Sequence, residues 1–227
     1  MNKMLSELLH KRPLFNLLEA ASKHFQMSLL AFYREPEGLS VIREAFRIAN
    51  LQMNPFDAYA LYSLVRMQAS IPGSFAEIGM FRGGSARIIC SLKGDKKFYG
   101  FDTFQGLPER RAEDEKWFKT RQFLASEEVV AASLAGFNNV KLIQGVFSES
   151  GSILNGERLS FVNLDVDLYE SILSSLNFIW GKLTLGGMVL IHDCHLAGVK
   201  KALAEFLQAH AAMAFEVGCS QTALIRR

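Results

Sequence analysis

Two short stretches of the chain place acids where packing alone gives no reason for them. FVNLDVDLY (161–169) runs apolar and then carries Asp165 and Asp167, one residue apart. GGMVLIHDCH (186–195) repeats the pattern and ends in His192, Asp193, Cys194 and His195. If the two stretches are neighbouring strands, Asp165 and Asp193 converge. Two carboxylates in one cleft repel unless one is protonated or a cation bridges them. Oxygen ligands suit Mg²⁺, which keeps several of its own waters. His192 is a third candidate ligand that would shift preference toward a softer ion such as manganese. It is equally a candidate general base, as is Asp165. Asp167 reads either as part of the same shell or as the N-cap of the next helix. Four consecutive residues cannot all face one tetrahedral ion, which argues against structural zinc at His192–His195.

A second set of residues points to a nucleoside cofactor. FAEIGMFRGGSA (75–86) has the form of a strand, a glycine turn and a helix start, with the pattern E-x-G-x-x-x-G instead of G-x-G-x-x-G. Gly79 and Gly83 allow a tight turn and a close backbone approach. Glu77, at the strand's carboxyl end, is placed to pair with a cationic amino group. That suits S-adenosylmethionine, which carries an ammonium and a sulfonium but no phosphate. FYGFDTFQGLPE (98–109) ends its strand in Asp102, about one βαβ unit later, where an acid binds ribose hydroxyls or caps the next turn. Gly145 and Ser148, in VKLIQGVFSES, fall on the adenine side. Ser85, Thr103 and Asp165 complete the expected cofactor set.

These residues converge only if particular elements carry them. SFAEIG, KFYGFD, VKLIQG, LSFVNLD and GGMVLIHD alternate with the helical patterns SARIICSLK, SEEVVAASLAG, ESILSSLNFIWGKL and GVKKALAEFLQAH. That alternation predicts parallel βαβ units. The tail MAFEVGCSQTALIRR holds two strands with no room for a helix between them, so they form an antiparallel hairpin. The expected fold is α/β, a doubly wound and mostly parallel seven-stranded sheet closed by that hairpin, the shape of a class I methyltransferase core. Residues 1–70 contain no convincing strand and read as a helical extension on a core of 71–227. Helices are expected over 5–25 and 40–53, and from Asn54 as cap with Pro55 in the first turn. His10, His24 and His210 lie on helical patterns and suggest no chemistry. The charged segment 109–126, with Trp117, Phe118 and Phe123, is either a solvated helix face or a lid.

Composition excludes other classes. The chain has 227 residues, is 49% hydrophobic and 21% charged, and has a net charge of +2, which gives no electrostatic footprint for nucleic acid. Its three cysteines show no C-x-x-C spacing, and neither a secretory h-region nor an apolar run of membrane-spanning length is visible. The expectation is a cytoplasmic protein with no membrane partner.

Taken together, the segments AEIGMFRGGSA, GFDTFQGLPE, FLASEEVV, NVKLIQGVFSES, NLDVDLYESILSSLNFIWGKLTLGGMVLIHDC and GVKKALAEF resemble the macrocin O-methyltransferase (TylF-type) family over roughly residues 56–207. GFDTFQGLPE together with LDVDLYES carries the specificity of that resemblance. It implies methyl transfer from S-adenosylmethionine to a hydroxyl of a sugar or related small molecule, often with magnesium, and Asp165 acting at the metal. Members often carry two adjacent acids after strand five, where this chain has His192-Asp193. Homo-oligomerisation through the N-terminal helices is a further expectation. Two other classes compete. A nicotinamide-dependent reductase would need a Tyr-x-x-x-Lys that the sequence lacks, and an inactive nucleotide-binding module would have no use for carboxylates at both strand ends.

Overall fold

The computed structural model describes residues 12–227, with side chains from Leu17 onward; His10 and the start of the expected 5–25 helix lie outside the described residues. Three helices come first: α1 (Arg12–Tyr33), α2 (Pro36–Ala49) and α3 (Pro55–Gln68). Pro36 and Pro55 each occupy the first turn, and the Asn54 side chain accepts from the Asp57 N–H as the expected cap. α2 starts earlier than the periodicity suggested and ends at Asn50, which turns left-handed at φ 48°. That turn releases residues 51–53 toward the cleft described below.

Five strands then run parallel: β1 (Ser74–Ile78), β2 (Phe98–Asp102), β3 (Val140–Gln144), β4 (Leu159–Leu164) and β5 (Leu183–Ile191). β6 (Met213–Val217) and β7 (Gln221–Ile225) form the hairpin, with β7 antiparallel to β5. The spatial order is β3-β2-β1-β4-β5-β7-β6. The crossover helices are α4 (Gly84–Leu92), α5 (Glu127–Ser133), the single turn α6 (Phe147–Ser150), α7 (Tyr169–Trp180) and α8 (Ala197–Ala209). β5 begins at Leu183, inside the expected helical pattern. The helix stops at Gly181, and Leu183 pairs with Leu159 before a kink at Gly186, where φ is +76°.

Each strand side packs its own core, as the two-residue period requires. One face buries Phe75, Phe161, Met188 and Leu190 against α2, α3 and α4. The other buries Ile78, Val162, Leu164 and Ile191 against α7 and α8. Segment 109–126 forms turns and no helix, so the helix-face reading is not met. Among the described residues, no helix is long and apolar enough to cross a membrane.

Candidate active site

Strand order reverses between β1 and β4, and a crevice opens at the carboxyl ends of strands at such a point. The cleft here has a cavity volume of about 480 Å³ and is lined by Gly79, Ser85, Asp102, Thr103, Gly145 and Ser148, together with Asp165, Asp167 and Asp193. Gly79 has φ +86°, and a Cβ there would overlap the carbonyl oxygen of Asp165. The glycine is needed because the β1 turn and the β4 exit touch. Gly83 is the left-handed N-cap of α4 at φ +81°.

The Asp102 carboxylate ties the glycine turn to β2. Oδ2 accepts from the Met80 and Phe81 amides at 2.8 and 2.9 Å, and Oδ1 accepts from Phe104 at 2.8 Å. Of about four lone-pair sites on a carboxylate, three are in use and one is left for a ligand hydroxyl. Thr103 lines the cleft, but its hydroxyl donates to Gly106 O and accepts from Gln105 N within its own turn.

Three acids meet at the centre. Asp165, Asp167 and Asp193 are half-buried and each offers one oxygen, all within 4.8 Å of one another. Asp167 and Asp193 have φ 60° and 51°, the left-handed region that short polar residues tolerate best. At both strand exits, sparsely populated backbone geometry is accepted where an acid faces the cleft. Burial, then the charge of Asp193, then that of Asp102 push Asp165 up to about 8. Burial, followed by the charges of Asp165 and Asp193, raises Asp167 well above the ordinary range. Among the described residues, no Lys or Arg forms an ion pair with any of the three, and only the exposed His195 approaches Asp193, at 3.7 Å. An oxygen-only donor set with repulsion to relieve fits a hard divalent cation.

The structure decides one open alternative and corrects one expectation about this cluster. Asp167 belongs to it and is not a helix cap, since the N-cap of α7 is Leu168 and has no side-chain cap bond. His192 does not join it. The residue is only 5% exposed, is absent from the cleft lining, and has Nε2 2.7 Å from Asn163 Oδ1, with Gln221 Nε2 3.2 and 3.3 Å from its two ring nitrogens. Burial lowers its pKa to about 4, so the ring is neutral. Glu77 is fully buried one layer behind the lining and accepts from Asn163 Nδ2 at 2.7 Å, while its Oε2 has no partner. Burial pushes its carboxyl up to about 8, against the lowering effect of Ser85 and Asn163, with Asp165 and Asp102 adding to the rise.

The 109–126 strap crosses this end of the sheet. Asp114, 5% exposed, accepts from Tyr169 N at 2.7 Å and Arg111 N at 2.6 Å, and Glu115 accepts from Ala197 N at 3.1 Å. The strap therefore caps both α7 and α8, the helices that directly follow the three acids. A Cβ on Gly198 would stand 2.7 Å from Asp114 Oδ1. Phe118 is buried in the α7/α8-side core, whereas Phe123 lines the cleft and meets Phe81 edge-on at 5.9 Å.

Sequence reasoning missed Asn163, Gln221, Asp114 and Glu115. For the first two, a polar residue on the inward parity of an apolar strand was the available signal. For the acids of the strap, nothing local marks a distant cap.

Comparisons with known proteins agree on one class. A family model described as macrocin-O-methyltransferase (TylF) matches residues 57–216. The 8-demethyl-8-(2,3-dimethoxy-alpha-L-rhamnosyl)-tetracenomycin-C 4'-O-methyltransferase of Streptomyces olivaceus is 28% identical over 152 residues, covering 60% of this chain and 58% of the relative. The mycinamicin III 3''-O-methyltransferase of Micromonospora griseorubida is 25% identical over 162 residues, covering 63% and 64%. The chain thus spans less than two thirds of the length of these curated relatives. Among solved structures, the O-methyltransferase NovP superposes with a TM-score of 0.66 at 21% identity, over 92% of this chain and 99% of that one. The O-methyltransferase from Bacillus cereus in complex with SAH gives 0.61 at 14%, over 92% and 100%. These likenesses show the class I methyltransferase fold.

Proposed function

The chain belongs to the macrocin-O-methyltransferase (TylF) family, and from that premise we propose that it transfers a methyl group from S-adenosylmethionine to a hydroxyl of a sugar or glycosylated natural product. The observation that carries this reading is the meeting of Asp165, Asp167 and Asp193 beside the glycine turn, at the switch point of the sheet. Bound S-adenosylmethionine supplies an electrophilic methyl on a sulfonium. The residues that would hold it are Gly79 and Ser85 at the methionine end, Asp102 with its remaining lone pair at the ribose, and Gly145 and Ser148 at the adenine. Asp165, Asp167 and Asp193 would hold a divalent cation, magnesium by their all-oxygen chemistry, which would supply Lewis acidity to activate the acceptor hydroxyl.

The chain's own residues do the rest. The three acids fix the acceptor oxygen at one end of the cleft while the glycine turn and Asp102 fix the cofactor at the other, so positioning supplies much of the rate. With no cation bound, Asp165 would take the departing proton, its carboxyl held above the ordinary range by burial and by the charges of Asp193 and Asp102. The relative from Streptomyces olivaceus methylates a rhamnosyl-bearing compound, which supports the same acceptor class here.

Methyl-labelled S-adenosylmethionine, incubated with a panel of glycosides and free sugars, tests the proposal. Label should move to an acceptor, and Asp165→Asn should slow turnover by about 10²–10⁴-fold, the usual scale of a lost acid–base or charge-stabilising group. Chelation should abolish transfer and Mg²⁺ or Mn²⁺ should restore it. Absence of both cofactor binding and transfer across the panel overturns the reading.

A further inference from the structure

A buried polar row runs beneath the cleft. Glu77 on β1, Asn163 on β4, His192 at the exit of β5 and Gln221 on β7 come from strands that lie side by side. Each stands two residues from a member of one core face, Phe75, Phe161, Leu190 or Ala223, so all four project to the side covered by α3 and α4. Glu77 and Asn163 are direct register partners. All four residues are 5% exposed or less, and polar groups at that depth are costly unless paired.

The pairing has a direction. Asn163 Nδ2 donates to Glu77 Oε1 at 2.7 Å, so Asn163 Oδ1 is left as acceptor, and His192 Nε2, 2.7 Å from it, must carry the proton. That leaves Nδ1 bare. Gln221 Nε2 lies almost equally far from both ring nitrogens, 3.2 Å from Nδ1 and 3.3 Å from Nε2, which puts it over the ring face and off the in-plane lone pair of Nδ1. The two short bonds, His192 to Asn163 and Asn163 to Glu77, thus both point toward Glu77, and the row ends at Glu77 Oε2, buried and without a partner.

We propose that Asn163 and His192 are positioning residues of the cofactor site, which hold the Glu77 carboxylate with Oε2 free for the ammonium of the bound cofactor's methionine moiety. The inference rests on the reading of the cleft as an S-adenosylmethionine site. It also explains an imidazole where an acid would be expected. A neutral ring donates from Nε2 to Asn163 Oδ1, whereas a carboxylate would set acceptor against acceptor there. The cation then keeps its three carboxylates, and His192 serves the cofactor.

Two ligands separate positioning from mere packing. S-adenosylhomocysteine carries the ammonium, and 5′-methylthioadenosine keeps the nucleoside thioether but lacks the ammonium and carboxylate. Calorimetry of Asn163→Leu and His192→Phe should show S-adenosylhomocysteine weakened by about tenfold or more, the scale of a lost charge-assisted contact, with methylthioadenosine changed by less than about twofold. Mn²⁺ affinity, read by paramagnetic resonance, should stay unchanged in His192→Phe. In the wild-type protein, nitrogen-15 histidine spectra should show a single proton on Nε2 of His192, with a resonance that moves on adding S-adenosylhomocysteine but not methylthioadenosine. Equal loss of both ligands, unchanged S-adenosylhomocysteine binding, a proton on Nδ1, or weakened Mn²⁺ binding in His192→Phe each overturns the assignment. Should a variant fail to fold, the wild-type spectra decide. If the wild type binds neither nucleoside, the cofactor reading itself fails, and this inference falls with it.

Discussion

Burial holds the Glu77 carboxyl at a pKa of about 8, against its ordinary 4.5. The folded state thus binds this proton more tightly than the unfolded chain does. Its contribution to stability is fullest below about pH 4.5 and falls as pH rises toward 8, beyond which the loss is complete. In the ligand-free protein, Glu77→Gln should therefore be stabilising at pH 7, on the order of 2–3 kcal/mol. Thermal melts across pH 4–8 should show the advantage growing with pH. An advantage over the wild type no larger at pH 7 than at pH 4 would contradict the shift. The same substitution should weaken S-adenosylhomocysteine, so one side chain sets binding against stability.

At the scale of elements, the strap joins two helices that sequence alone leaves uncapped. Leu168 and Leu196 occupy the N-cap positions of α7 and α8 without side-chain cap bonds, and Asp114 and Glu115 supply acceptors from some fifty or more residues away in sequence. Arg111–Glu170 and Lys201–Glu113 pairs tie the strap to the same two helices, but they are exposed and add little. Asp114→Ala should cost about 1–2 kcal/mol of stability, the range for a lost cap. Trypsin should then cut faster at Arg110, Arg111, Lys116 and Lys119 than in the wild type. Bound S-adenosylhomocysteine should slow cutting in the wild type, because Phe123 lines the cleft. Cutting that is indifferent to both changes would make the strap an ordinary surface segment.

At the scale of the whole molecule, the three acids join the exits of β4 and β5, the pair at the centre of the sheet's ligand-binding half. A cation that binds only the folded state stabilises all of it cooperatively, by about 2.7 kcal/mol at a hundredfold excess over Kd. Mg²⁺ or Mn²⁺ should therefore raise the melting temperature of the wild-type protein, with little effect on Asp165→Asn or Asp193→Asn. Differential scanning calorimetry in chelated buffer, with and without added ion, measures this directly. Equal shifts in wild type and both variants would mean that the ion binds elsewhere.

Much of this molecule was legible in its sequence because the signals are local. Alternating apolar runs and helical patterns marked the parallel strands, the short Gly-Cys-Ser link marked the hairpin, and acids ending two apolar runs marked Asp165 and Asp193. Helix ends were less legible: Asn50 in the left-handed region and Leu183 pairing with Leu159 depend on neighbours distant in the chain. His192 was misplaced for a geometric reason. It and Asp193 are adjacent in sequence, but neighbouring residues at a strand's exit face opposite ways, so one reaches the cleft and the other the core. Only the order β1-β4-β5-β7 brings Glu77, Asn163, His192 and Gln221 into one buried polar row. Sequence determined which residues could do chemistry, since residue type and strand parity are written in it. Tertiary structure decided which of them meet, because strand order and distant caps are set by packing across the whole sheet.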